Sequence, residues 1–206
     1  MSQPVLIVVA GPNGSGKTTL TNTIRSTGID FGSYINPDDI AAELDGPYAD
    51  RVRRAQSIAD ERRAYCVKNR DSFSFESVMS HPSKLDVMRA ARDAGVNVIL
   101  YFVATDDPQI NVTRVANRVA RGGHDVPEDR IIARYARTLN LLPAAVRLAH
   151  RSYLFDNSLS VADKAFAISP VAELRGDGAT ARITTLAATA DRCDWVKPVL
   201  ALFEQV

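Results

Sequence analysis

The chain has 206 residues, 46% apolar and 24% charged, with a formal net charge of +1 at pH 7. That size suits one α/β domain with a sizeable core, and the near-neutral charge argues against bulk attraction to nucleic acid or to a membrane surface. No apolar stretch is long enough to cross a membrane and no basic segment precedes the first apolar run; Cys66 and Cys193 lie far apart, as idle thiols of a reducing compartment would. The expectation is a cytoplasmic protein without a structural metal site.

The first predicted element is the β-branched run Val5 to Val9, the pattern of a parallel strand buried on both faces. Residues 11 to 18, Gly11-Pro12-Asn13-Gly14-Ser15-Gly16-Lys17-Thr18, follow it, and a helix begins at Thr18-Thr19. A glycine-rich loop between strand and helix lets backbone N–H groups converge on phosphates at a helix N-terminus. In that context Lys17 reaches the β and γ oxygens, and the Thr18 hydroxyl is placed to ligate Mg²⁺. Gly11 through Thr19 is therefore the expected binding segment for ATP with Mg²⁺.

Gly28 stops the first helix, and a short strand from Ser33 to Ile35 leads to Asn36-Pro37-Asp38-Asp39. A helix to about Leu44 breaks at Asp45-Gly46-Pro47, and a long basic helix runs from about Asp50 to Arg70. The strand Phe73 to Val78 carries Glu76, a helix spans about Pro82 to Ala94, and Val96 to Ala104 forms the next apolar strand. Asp107-Pro108 opens a helix to about Arg121, which breaks at Gly122-Gly123 and resumes near Pro127. A strand at Tyr153 to Asp156 completes an alternation that predicts an α/β fold with a parallel sheet flanked by helices. The tail reads as short strands at Lys164 to Ile168, Val171 to Arg175 and Arg182 to Leu186, an antiparallel extension turning at Gly176-Asp177-Gly178. A final amphipathic helix carries Trp195, Val196, Leu200 and Phe203. The whole is read as one domain, 1–206, with a lid at about 111–140 and an extension at about 161–206.

The chain lacks the guanine-reading Asn-Lys-x-Asp of GTPases and the Leu-Ser-Gly-Gly of transporter ATPases. Phosphoryl transfer needs an acceptor base, cations for the transferring group and a means of excluding water. Asp38, just beyond the second strand, is the expected base, since ligands of open α/β sheets sit outside the carboxyl ends of strands; the same residues also spell a capped helix start. Glu76 is expected to hold the acceptor or a Mg²⁺-bound water. Between Asn111 and Arg151 lie eight arginines against three carboxylates. Arg114, Arg118 and Arg121, then Arg130, Arg134 and Arg137, repeat at i, i+4, i+7, so each set shares a helical face that calls for an anion. Arg118, Arg121 and Arg134 are the expected phosphate clamps. Asp106 and Asp107 offer a further Mg²⁺ carboxylate or a helix cap, and Asp156-Asn157-Ser158 a further wall of the nucleotide pocket. The basic helix from Asp50 to Arg70 supports an alternative, a kinase of polynucleotide ends or nucleosides.

Together, Gly11 to Thr18, Asn36-Pro37-Asp38-Asp39, Phe75-Glu76-Ser77, the stretch Arg114 to Arg121 followed by Gly122-Gly123-His124-Asp125-Val126-Pro127, and Asp156-Asn157-Ser158 resemble the zeta-toxin family of P-loop kinases. The resemblance covers roughly residues 4 to 160 and is to its shorter, free-standing branch. It implies a P-loop kinase-like fold and transfer from ATP to a small acceptor such as the UDP-sugar UDP-N-acetylglucosamine. By the same likeness Lys17 and Thr18 serve ATP and Mg²⁺, Asp38 is the base, Glu76 contacts the acceptor and the lid arginines clamp phosphates. That shorter branch does not imply a toxin role; a nucleotide-binding switch or toxin component acting through an antitoxin-like protein partner is a separate alternative, and neither nucleic acid nor a membrane is expected as a partner.

Overall fold

Burial of the first strand on both faces sets the architecture. In β1 (Val5–Ala10), Leu6, Val8 and Ala10 join one apolar cluster while Ile7 and Val9 join another, so both sheet faces must be covered. The structure, a computed structural model, describes residues 3–123, 125–158, 168–176, 181–185 and 193–201. After β1 come α1 (Lys17–Ser26), β2 (Ser33–Tyr34), α2 (Pro37–Ala42), α3 (Tyr48–Asn69), β3 (Phe73–Ser77), α4 (Ser83–Asp93) and β4 (Asn97–Ala104). The rest are α5 (Pro108–Val119), α6 (Glu128–Leu148), β5 (Arg151–Asp156), β6 (Ser169–Gly176), β7 (Ala181–Thr185) and α7 (Lys197–Leu200).

These strands form one sheet in the order β2-β3-β1-β4-β5-β6-β7, parallel through β5 and antiparallel from there on. β1 therefore sits between β3 and β4, where the chain, having built one flank of the sheet, crosses to build the other. That switch point opens a crevice at the carboxyl end of β1, where the loop from Gly11 begins. The larger cluster gathers residues of α3, α4, α6 and the Trp195 segment on one face; the smaller gathers Leu20 and Ile24 of α1 with Phe31 and Tyr101 on the other.

Most expected elements fall where the sequence puts them, within a few residues. The antiparallel extension forms as β6 and β7, while the expected strand from Lys164, the residues of the turn after Gly176, and Phe203 lie outside the described residues. α7 is only four residues long, and Trp195 and Val196 precede it in a turn rather than riding on it. Among the described residues no helix is long and apolar enough to cross a membrane.

Candidate functional site

The loop after β1 is clamped from two sides. Gly11 has φ 151°, and a Cβ there would stand 2.0 Å from the Val103 carbonyl oxygen of β4. Gly16 has φ 100°, and a Cβ there would meet Asn157 Nδ2 at 2.5 Å. That same Nδ2 donates to the Ser15 carbonyl at 2.8 Å, so the segment after β5 holds the loop in shape. Only glycine fits at either position. Lys17 Nζ donates to the carbonyls of Gly11 and Pro12, each at 2.9 Å, which points the ammonium along the loop. Burial lowers its pKa to about 8; the Glu76 charge pulls it up and the Arg118 charge pushes it further down.

Glu76, at the end of β3, is tied to the loop's helix. Its carboxylate accepts from Thr18 Oγ1 at 3.1 Å, Thr21 Oγ1 at 2.7 Å and the Tyr34 hydroxyl at 3.1 Å. Burial and the Glu76 charge raise the Tyr34 pKa above its ordinary value, so its proton stays in that bond. Thr18 and Glu76 thus present two hard oxygen ligands side by side, a donor set that suits Mg²⁺.

A cavity of about 890 Å³ opens over this point. Its floor is the loop, from Asn13 to Thr19 without Ser15. On the β2 and β3 flank it is walled by Tyr34, Asn36, Asp38, Gln56, Arg63, Glu76 and Lys84; on the β4 and β5 flank by Arg114, Asn117, Arg118, Arg121 and Asn157. Asp38 faces it while also sitting in the first turn of α2, where its N–H donates to Asn36 Oδ1 at 3.1 Å. One turn of helix thus both caps α2 and sets Asp38 at the cavity wall.

The arginine stripes part company. Arg114, Arg118 and Arg121 of the α5 segment line the cavity, whereas Arg130, Arg134 and Arg137 are not among its lining residues. The buried stripe of α6 is Ile131, Tyr135 and Thr138, so its arginines lie one position back along the helix from the residues that fix how it packs. Arg134, expected as a phosphate clamp, is not brought to the cavity.

Other expectations are redistributed. Asp107 Oδ1 accepts from Gln109 N at 2.8 Å and caps α5. Cys193, read from the sequence as an idle thiol, has its sulfur brought by the fold to Asp106 and Asp156, donor atoms within 4.8 Å of one another, which sequence separation conceals. Burial and the nearby Asp156 charge push that thiol up to about 12, so it stays protonated. His150 Nδ1 accepts from Val98 N at 2.9 Å, a structural role, and His124 lies outside the described residues.

On the basic helix α3, Arg53, Arg54, Arg62 and Lys68 are exposed, while Arg51 is half-buried and Arg63 turns inward. Arg53 pairs with Asp50, Arg51 donates to the Ala41 carbonyl at 3.3 Å, and Arg63 is buried. Sequence reading missed Arg63, Lys84, Gln56 and Asn117 as cavity residues. The signal for Arg63 was present: it falls in the inward stripe Ala55, Ala59, Cys66.

A clamped phosphate loop at the switch point of a largely parallel sheet, under a cavity lined with arginine, defines a P-loop kinase-like fold. The sequence matches the Zeta toxin family over residues 1–166, and the chain belongs to that family. An uncharacterized protein of Haemophilus influenzae (strain ATCC 51907 / DSM 11121 / KW20 / Rd) is 31% identical over 134 residues, covering 63% of this chain and 91% of that protein. Among solved structures, an AvrRxo1-ORF1:AvrRxo1-ORF2 structure with ATP superposes with a TM-score of 0.67 at 16% identity, covering 99% of this chain and 65% of the other. The chain thus spans less than two thirds of that protein's length. A chain of the PezAT chromosomal toxin-antitoxin system of Streptococcus pneumoniae gives a TM-score of 0.61 at 15% identity, covering 100% of this chain and 85% of the other. At those identities the structural likeness concerns the fold.

Proposed function

We propose that the protein is an ATP-dependent phosphotransferase, acting as one unit over residues 1–206, that moves the γ-phosphate to a hydroxyl of a small acceptor such as a UDP-sugar. The observation that carries this reading is that the phosphate loop and Asp38 face one cavity from the carboxyl ends of β1 and β2, with β3 between them.

The loop N–H groups and Lys17 hold the triphosphate. Thr18, with Glu76 beside it, would hold Mg²⁺, which would supply positive charge to offset that of the phosphates. Asp38 takes the proton of the acceptor hydroxyl as its oxygen bonds to the γ-phosphorus. The bond to the β,γ-bridging oxygen breaks and ADP leaves. Arg118 and Arg121 neutralise the three equatorial oxygens in passage. Incubation with labelled ATP, Mg²⁺ and a panel of UDP-sugars, nucleosides and oligonucleotide ends tests the reading by which compound gains label. Asp38→Asn is expected to keep ATP binding and lose transfer by at least a hundredfold; near-normal transfer would leave Asp38 as a helix cap only.

A second reading, a toxin component held by a small protein partner, draws on the PezAT likeness, since that system is a toxin-antitoxin pair. Co-purification of a helical partner that blocks the cavity, without phosphate transfer to any acceptor, would favour it.

A further inference from the structure

The two oxygens of the Glu76 carboxylate are occupied unevenly. A carboxylate offers about four lone-pair positions, two on each oxygen. Oε1 accepts from two hydroxyls, Thr21 at 2.7 Å and Tyr34 at 3.1 Å, and is thereby filled. Among the described residues Oε2 accepts only from Thr18, at 3.1 Å, so one position is left, on the oxygen beside that threonine. Thr18 donates its proton to Oε2 and keeps the lone pairs of its own oxygen for a cation.

Three elements build this arrangement. Thr18, Thr21 and Arg25 follow one another on α1 at i, i+3, i+7 and share a face, which meets the end of β3. Thr21 is 2% exposed, so its hydroxyl has no bulk water to turn to. Tyr34 comes from the edge strand β2, and the Arg25 guanidinium stands 4.2 Å over its ring and 5.0 Å over that of Phe31, which holds the phenol in place. The hydroxyls that fill Oε1 are thus fixed from helix and sheet, while Thr18 is exposed and lines the cavity with Glu76. A half-buried carboxylate that only needed satisfying could be met on either oxygen. Here both fixed donors go to the oxygen that Thr18 does not bond.

We infer that Thr21 and Tyr34 are positioning residues that set the metal preference of the site: by filling Oε1 they limit Glu76 to one oxygen towards the cation's shell, which favours Mg²⁺ over Ca²⁺. Mg²⁺ is small and octahedral and keeps several of its waters, so one carboxylate oxygen, a hydroxyl and phosphate oxygens serve it. Ca²⁺ takes more oxygens at longer distances and is better served by a carboxylate that can offer both. The inference rests on Thr18 and Glu76 being the Mg²⁺ ligands of the proposed function; it needs neither an acceptor nor a transfer step.

The test is calorimetric titration of the full chain with a non-hydrolysable ATP analogue, once at saturating Mg²⁺ and once at saturating Ca²⁺. The readout is the ratio of the two dissociation constants. A loss suffered by the fold or by the phosphate loop falls on both metals alike and cancels in that ratio, so a merely structural hydroxyl would not move it. The wild-type chain should favour Mg²⁺ by about tenfold or more. Tyr34→Phe keeps the ring under Arg25, and Thr21→Val keeps the shape of the side chain. Each should cut the preference by about threefold or more, as loss of a hydrogen bond to a charged group does, and Thr21→Ser should retain it. Circular dichroism at the titration temperature checks folding, and Tyr34→Phe carries the test by itself should Thr21→Val, in the core, not fold. A ratio unchanged in Tyr34→Phe and in Thr21→Val, or a wild-type chain that does not favour Mg²⁺, would overturn the inference. A shifted ratio with no compound gaining label in the labelled-ATP assay would uphold it and sink the kinase reading. Transfer of label with an unchanged ratio would do the reverse.

Discussion

Lys17 is held between opposing influences: burial and Arg118 favour its neutral form, and Glu76 favours the charge. With its pKa lowered to about 8, the lysine is charged below that value and loses its proton as pH rises through it. Because the folded value lies below the unfolded one, the effect on folding is a cost present below about pH 8 that is relieved as pH rises towards 10.5. For ATP the sign is opposite, since the phosphates need the cation. ATP affinity is expected to fall as pH rises above about 8, and Lys17→Arg, which cannot lose its charge in that range, should flatten the profile. Dissociation constants between pH 7 and 10 check this; an unchanged slope in the arginine variant would remove Lys17 from the phosphates. The placement of Lys17 and Thr18 at the cavity floor was legible because a contiguous motif sets it. The partners of Glu76 were not. Tyr34 reaches it because β2 pairs with β3 in a register that sets Tyr34 opposite Ser74, two residues before Glu76 and on the same face, and register is a tertiary fact.

Helical spacing tells which residues share a face and leaves open where that face points, which is why the two arginine stripes looked equivalent. α5 turns its arginines to the cavity, while α6 is oriented by Ile131, Tyr135 and Thr138. The expected contrast is direct. Arg118→Ala should lower phosphate transfer about a hundredfold or more, in line with loss of a transition-state charge partner, whereas Arg134→Ala should change it by less than about threefold. Equal losses in the transfer assay would mean that α6 swings over the cavity during turnover. The α2 start offers a second contrast. Asn36→Ala removes the cap on the Asp38 N–H and should cost about 1 kcal/mol in a urea melt. It should also lower kcat more than ATP affinity, because Asp38 loses its fixed turn while the phosphate loop is untouched. Capping grammar was readable in the sequence; that the capped turn opens on the cavity depended on where β2 docks.

Alternating strands and helices made the parallel sheet readable, but strand order is a choice among topologies that local pattern does not distinguish, and the order places the crevice. It also gives the tail a part that its sequence did not announce. Trp195 packs on Phe102 of β4 with ring centroids 5.7 Å apart, and its Nε1–H points at Asp156 at 3.4 Å. Asp156 ends β5, and the next residue, Asn157, is the one that holds the Ser15 carbonyl of the phosphate loop. The tail thus braces the loop through β5. Trp195→Ala should cost about 3–5 kcal/mol, the usual range for deleting a buried indole, while Trp195→Phe, which keeps most of the ring contact and gives up a long hydrogen bond, should cost much less. If the brace is mechanical, ATP affinity should fall in Trp195→Ala at temperatures where the protein is still fully folded by circular dichroism, and recover in Trp195→Phe. A variant that merely melts earlier, with unchanged affinity below its transition, would make the tail a stabilising cover. The affinity loss matters more than the melting shift, because any large-to-small change in a core lowers stability, whereas only a brace passes the change on to Ser15.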